Sequence, residues 1–299
     1  VNTDNRAFFF YSEAHDVTMC NIDMDGFDLA VYTESSAGNT RNIKLTGSRI
    51  TNTSNIGFLG GADNLQINYN HWEGNGGVTG FEHSIYFSSN DTSLVNVELI
   101  GNYVRGQYGP ECNGVVVTGH VAVDGFRVEN NTVEIDAAAA RGGCWGIGFG
   151  AAGVTNAKYL RNANFSNNVI INGGNVALTV AECPNCVIEN NFIIQDWPYE
   201  YALTGMVISA DSVRAIDDTS DTNRIRNNTI WFGPNAIEGG TGIEFGTVGT
   251  GHTVVNNTIT YSATTEGNSG GVNCFKYPRP LSEYAFLNNN HCFSNATYS

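Results

Sequence analysis

A ten-residue stretch, FRVENNTVEI at 126–135, recurs in altered form along the chain, and this repetition limits the folds open to it. Close copies are NFSNNVII from 164, VIENNFII from 187, RIRNNTIWF from 224, TVVNNTITY from 253 and FLNNNHCF from 286. Looser copies stand earlier, as VTMCNIDM from 17, IKLTGSRI from 43, LQINYNHW from 65 and VELIGNYV from 97. With Asn131 as the anchor, the equivalent positions are Ile22, Ser48, Asn70, Asn102, Asn131, Asn168, Asn191, Asn228, Asn257 and Asn290. Successive anchors are 26, 22, 32, 29, 37, 23, 37, 29 and 33 residues apart, so a short fixed core alternates with insertions of variable length.

Each copy alternates apolar and polar residues, turns at Asn-Asn, and alternates again. Period two means strand, and Asn is among the residues that most readily bend a chain between strands. A second motif follows each anchor, as IGFLGG at 56, SIYFSS at 84, GVVVTG at 114, GIGFGA at 146 and GIEFGT at 242. Each repeat then holds three short strands, and a unit that cannot bury its apolar face alone must stack on its neighbours. Three strands per repeat with Asn ladders at one corner predict an all-β, single-stranded parallel β-helix, a solenoid of about ten or eleven coils.

The pattern resembles the right-handed parallel β-helix proteins of the pectate-lyase-like superfamily, which includes polysaccharide lyases, polygalacturonase-type hydrolases, uronate epimerases and phage tailspikes. The likeness spans the chain, and it implies one elongated domain over 1–299. It also implies a polysaccharide partner and an exported protein, secreted or on a virion surface. Calcium is a common partner of such enzymes, but DSVRAIDDTSD at 211–221, with Asp211, Asp217, Asp218 and Asp221, lacks the spacing of a known calcium loop and reads as a solvated acidic loop, so no metal ligands are assigned. Polygalacturonase-like motifs are present only out of order: Asn2-Thr3-Asp4, Asp217-Asp218, Gly119-His120 and Arg224-Ile225-Arg226. Gly26-Phe27-Asp28 is similar to part of an epimerase motif but lacks the following His.

A net charge of -15 with 14 basic residues argues against nucleic acid as a partner. No apolar run is long enough for a membrane span. The first residue is Val1, and RAFFFYSEAHDV at 6–17 already reads as a second-motif strand with Phe8 and Phe10 inward, so the chain is expected to be a processed or excised piece. Cys112 and Cys144 stand three residues before Val115 and Ile147, equivalent sites on consecutive coils about 4.8 Å apart, which predicts a disulfide. Cys274 and Cys292 pair or pack near the end, and Cys183-Pro-Asn-Cys186 reads as a turn disulfide or free thiols. The cysteines and several Asn-X-Ser/Thr sequons favour export.

In such a fold the outer columns and inserted loops carry chemistry. One position past the anchor stand Arg49, His71, Tyr103 and Thr132, and three past it Thr51, Glu73, Arg105 and Glu134. His71, Glu73, Tyr103 and Arg105 are expected to tile one outer sheet, joined by His83, Tyr86, Tyr108 and Glu111 of the same two coils. These are the residue types that β-elimination of a uronate needs: Arg105 to neutralise the carboxylate, His71 or His83 as base, and Tyr86 or Tyr103 as acid. A Glu73–Arg105–Glu134 surface ladder is the alternative. A short interval at Ile170–Val176 predicts a depression, walled by loops carrying Arg141 and Trp145 on one side and Trp197 and Tyr199 on the other. A hydrolase would instead use paired carboxylates, for which Glu13 and Glu34 are expected to share a column, with Tyr11 and Tyr32 stacked beside them. Three functions follow: a uronate polysaccharide lyase, a glycoside hydrolase, or a non-catalytic binding or structural protein whose outer columns bind sugar or pack against sister chains in a homo-oligomer.

Overall fold

The computed structural model describes residues 5–34, 40–76, 82–106, 112, 114–136, 144–150, 160–198, 202–209, 221–236, 240–246, 249–262, 273–278, 280–283 and 286–294. Among them the secondary structure is almost wholly strand, with one helical turn at Leu281–Glu283. All strand pairing is parallel, in one sheet of 19 strands and one of 10.

The ten-stranded sheet holds the strand that follows each anchor. It runs Asp23–Asp25, Arg49–Thr51, His71–Glu73, Tyr103–Arg105, Thr132–Glu134, Val169–Ile171, Phe192–Gln195, Thr229–Phe232, Thr258–Tyr261 and His291–Ser294, each paired with its equivalent in the next repeat. The larger sheet contains the other two strands of every repeat, which sequence motifs read as separate columns. They fuse because Ile85–Ile100 and Val115–Glu129 run through both without a break, with a register shift between Ser88 and Ser93. This stacking of three-strand repeats is consistent with a parallel β-helix.

At one corner every anchor lies in a single hydrogen-bonded ladder. The backbone N–H of Ile22 donates to Ser48 Oγ, that of Ser48 to Asn70 Oδ1, and so on through Asn102, Asn131, Asn168, Asn191, Asn228 and Asn257 to Asn290. From Asn70 to Asn257 each side-chain Nδ2 also donates to the next Asn Oδ1 and to a strand carbonyl, as Asn131 does to Asn168 Oδ1 (3.0 Å) and to Leu99 O (2.8 Å). Buried amides are stable only when so paired, which is why Asn holds this position. The residue before the anchor takes a left-handed backbone; Asn130, Asn167, Asn190, Asn227, Asn256 and Asn289 have φ between 50° and 57°, a region Asn tolerates better than most residues.

Inward side chains fill the interior. Phe87, Phe126, Phe149 and Phe165 pack with ring centroids 4.9–6.0 Å apart, and buried Trp72 donates its indole N–H to Asn102 Oδ1. Phe8 and Phe10 pack against this core from the first strand. Disulfides join Cys112 to Cys144, Cys183 to Cys186 and Cys274 to Cys292, while Cys20 is free and exposed. Three disulfides point to an oxidising environment. Among the described residues no helix is long and apolar enough to cross a membrane.

Candidate functional site

The expected tile forms. Tyr103 pairs with His71 on one side and Thr132 on the other, and Arg105 with Glu73 and Glu134. His71 Nε2 lies 3.1 Å from Glu73 Oε2, and the rings of His71 and Tyr103 are 5.3 Å apart. The hydrogen bond from His71 is the main reason that the Glu73 carboxyl titrates below the usual range. Tyr103 donates its phenol proton to Glu134 Oε2 at 2.8 Å; burial first, and then this bond, push its pKa up. Arg49 stands 3.8 Å from Glu73. The tile's imidazole and phenol are thus already engaged, whereas the exposed Arg105 guanidinium has no ion pair among the described residues.

Tyr86 belongs to the other sheet, and His83 lies just before its strand, Ile85–Ile100. Their rings are 5.0 Å apart, and Tyr86 meets His120 edge-on at 6.0 Å. His83 Nδ1 lies 2.6 Å from the carbonyl oxygen of Val115. A carbonyl can only accept, so Nδ1 carries the proton and Nε2 keeps its lone pair. Burial holds the His83 imidazole below its ordinary pKa, so it is neutral at pH 7, and burial likewise pushes the Tyr86 phenol up. Among the described residues neither His83 Nε2 nor the Tyr86 hydroxyl has a hydrogen-bond partner. Among the described residues, an imidazole nitrogen with its lone pair and a phenol with its proton therefore stand side by side.

The register extends Tyr86 into an outward-facing column whose next members are buried. Tyr86 aligns with Thr118, Gly148 and Thr179 on the next three repeats. Thr118 donates its hydroxyl proton to Gly148 O (2.7 Å), while the buried Thr179 Oγ1 has no hydrogen-bond partner. A side chain at Gly148 would press on Val115, 3.1 Å away, so the glycine leaves a low place in the column. Trp145 pairs with Val115, whose carbonyl holds His83, so Trp145 stands beside the same column. Trp197 is 37% exposed, in the turn after Phe192–Gln195.

The tile and the strand that carries Tyr86 thus belong to different sheets. They flank one corner, however. Gly74 N donates to the carbonyl of Arg105 at 3.0 Å, and Gly76, two residues on, lies against the backbone of His83. The remaining members of the expected set, Tyr108, Glu111, Arg141 and Tyr199, lie outside the described residues.

The paired-carboxylate expectation needs correction. Phe8 aligns with Val31 rather than Leu29, which moves the register by two residues: Glu34 then follows Thr33 beside Tyr11, and Tyr32 stacks on Phe9 at 4.7 Å instead of on Tyr11. The first strand begins at Arg6, whose guanidinium sits over the Phe9 and Tyr32 rings in this register. Glu34 accepts from Ser12 N, and Glu13 occupies a turn with φ of 80°, so the two carboxylates do not share a column.

A polar network on the larger sheet escaped sequence reading. Arg127 bonds Glu98 at 3.0 Å and Glu129 at 2.8 Å, and Asn68 and Asn164 close the two ends. The same alternation that exposed the tile, applied to the strand before each anchor, would have found it. Among the described residues no cluster of three or more His, Cys, Asp or Glu could hold a metal ion.

No protein-family model matches the chain, and no curated protein matches it.

Proposed function

We propose that the chain is a right-handed parallel β-helix of the pectate-lyase-like kind, exported, and that it cleaves a uronate-containing polysaccharide by β-elimination at the corner between His83 and Arg105. The observation that carries this reading is the neutral His83 beside Tyr86, with neither His83 Nε2 nor the Tyr86 hydroxyl hydrogen-bonded among the described residues. A polysaccharide chain laid over Tyr86, Thr118, Gly148 and Thr179, with Trp145 against a sugar face, would bring a uronate to that pair.

In the proposed reaction Arg105 neutralises the uronate carboxylate, which acidifies the C5 proton. His83 Nε2 takes that proton, the electron pair forms the C4–C5 double bond, and the C4–O bond breaks. Tyr86 gives its proton to the departing oxygen. Proton exchange with solvent then restores neutral His83 and the phenol.

The test is ultraviolet absorbance of unsaturated product on a panel of uronate polysaccharides, with calcium and with a chelator. The expected result is a rise on one polymer that His83→Gln and Tyr86→Phe abolish while thermal unfolding stays unchanged. No rise on any polymer, together with no new reducing ends, refutes catalysis. It would favour the rival reading, a non-catalytic glycan-binding or structural surface protein that packs against sister chains. The closed hydrogen bonding of His71, Glu73, Tyr103 and Glu134 speaks for that rival, because such a tile needs no substrate. A hydrolase built on Glu13 and Glu34 loses its geometric support with the corrected register.

A further inference from the structure

The outer face of the ten-stranded sheet changes character half-way along. Each of its first five strands carries at least one charged outward residue, from Asp23 and Asp25 to Glu134. The next five, Val169–Ile171, Phe192–Gln195, Thr229–Phe232, Thr258–Tyr261 and His291–Ser294, carry no Asp, Glu, Lys or Arg at any outward position. Apolar, aromatic and threonine side chains stand there instead. Phe192 is 41% exposed and Phe293 56%, and Ile194 and Trp231 are half-buried neighbours in register. In a chain of net charge -15, five consecutive strands without an outward Asp, Glu, Lys or Arg set this strip apart from the first half of the sheet.

We infer that this strip binds an uncharged polysaccharide, lying lengthwise along the stacked repeats. Three observations choose that occupant. Five strands about 4.8 Å apart make a strip roughly 20–25 Å long and about 10 Å wide, some 250 Å² and well short of the roughly 800 Å² per partner of a stable protein interface. That footprint is too small to hold a second copy of this chain, yet it matches a few sugar rings in a line. The aromatic faces of Phe192, Trp231 and Phe293 suit the apolar faces of pyranoses, and Thr229 and Thr258, adjacent in register, offer hydroxyls to theirs. The strands of the strip have no Lys or Arg to pair with a carboxylate, so a neutral chain is the class it fits. This inference does not rest on the elimination chemistry, which occupies other repeats.

The test titrates the protein with neutral cello-, xylo- and mannohexaose, and with an oligogalacturonate of equal length, following tryptophan fluorescence. One neutral hexasaccharide is expected to saturate the signal independently of salt. Trp231→Ala and Phe192→Ser should each weaken it at least tenfold with unchanged circular dichroism. Ile194→Lys serves as a further variant that keeps both aromatic rings. The inference is overturned if no neutral sugar binds, or if these variants bind as the parent does. It is equally overturned if sedimentation shows a dimer that Phe192→Ser dissociates.

Discussion

Replacing Asn168 by Ala cuts the ladder at its middle, where no water reaches: Asn168 is fully buried. Its Oδ1 accepts from the backbone N–H of Asn131 (3.1 Å) and from Asn131 Nδ2 (3.0 Å), and its Nδ2 donates to Val128 O (2.8 Å) and Asn191 Oδ1 (3.0 Å). Asn191 Oδ1 keeps the Asn168 backbone donor and Asn131 Nδ2 keeps Leu99 O. The Asn131 backbone N–H and one amide proton are left without partners. At about 1–3 kcal/mol for each of the two orphaned buried donors, the loss is roughly 2–6 kcal/mol. The same change at Asn290 is the control. Its Oδ1 also accepts two bonds from Asn257, but the side chain is only partly buried, so water replaces it and the cost falls to about 1 kcal/mol or less. Equilibrium urea unfolding followed by both fluorescence and circular dichroism reads the difference, the two probes checking that the transition is cooperative. Equal losses at the two sites, or less than about 1 kcal/mol at Asn168, would refute desolvation as the reason that the ladder matters.

Asn168→Asp puts a carboxylate oxygen against Val128 O and Asn191 Oδ1, so its folded pKa should rise above the unfolded value; the variant should regain stability as pH falls, as pH-dependent melting would show. His252 is buried and accepts the Asn223 N–H on Nδ1, and burial lowers its pKa to about 4. Its folded pKa is below the unfolded value of about 6.5, so the stability it contributes is complete above pH 6.5 and is lost as pH falls toward 4. The loss is about 3 kcal/mol, absent in His252→Asn. Replacing Cys112 and Cys144 together by Ala opens a link between residues 32 apart and should cost roughly 3–4 kcal/mol in urea unfolding.

The stacking, the ladder and the Cys112–Cys144 bridge were legible because each depends on a fixed offset from an anchor, and an in-register parallel pairing turns equal offsets into neighbours. His71, Tyr103 and Thr132 fell into line for that reason. In the first repeat the alternation does put Phe8 and Phe10 inward, but RAFFFY is apolar at almost every position and so does not say which residue of the next repeat each one meets; Phe8 lies beside Val31 rather than Leu29. His83 could be assigned to the right repeats but not to a sheet, since nothing in its own spacing says on which side of the corner a residue at the end of an insertion lies. The proton position on His83 depends on the carbonyl of Val115, 32 residues away, and no local pattern carries that information.

The ladder keeps its N–H···Oδ1 distances at 3.0–3.1 Å from Ser48 to Asn290, although the chain between successive anchors varies from 22 to 37 residues. The anchor acts as an indexing pin, so length differences are discharged into the loops without passing to the next repeat. Closing a loop of twice the length costs only about 0.6 kcal/mol, whereas a slip of one residue at an anchor would turn a whole strand inside out. A chain built this way can gain or lose a binding loop between two pins and leave the repeats beyond untouched, which makes it a scaffold on which new surfaces can be tried one insertion at a time.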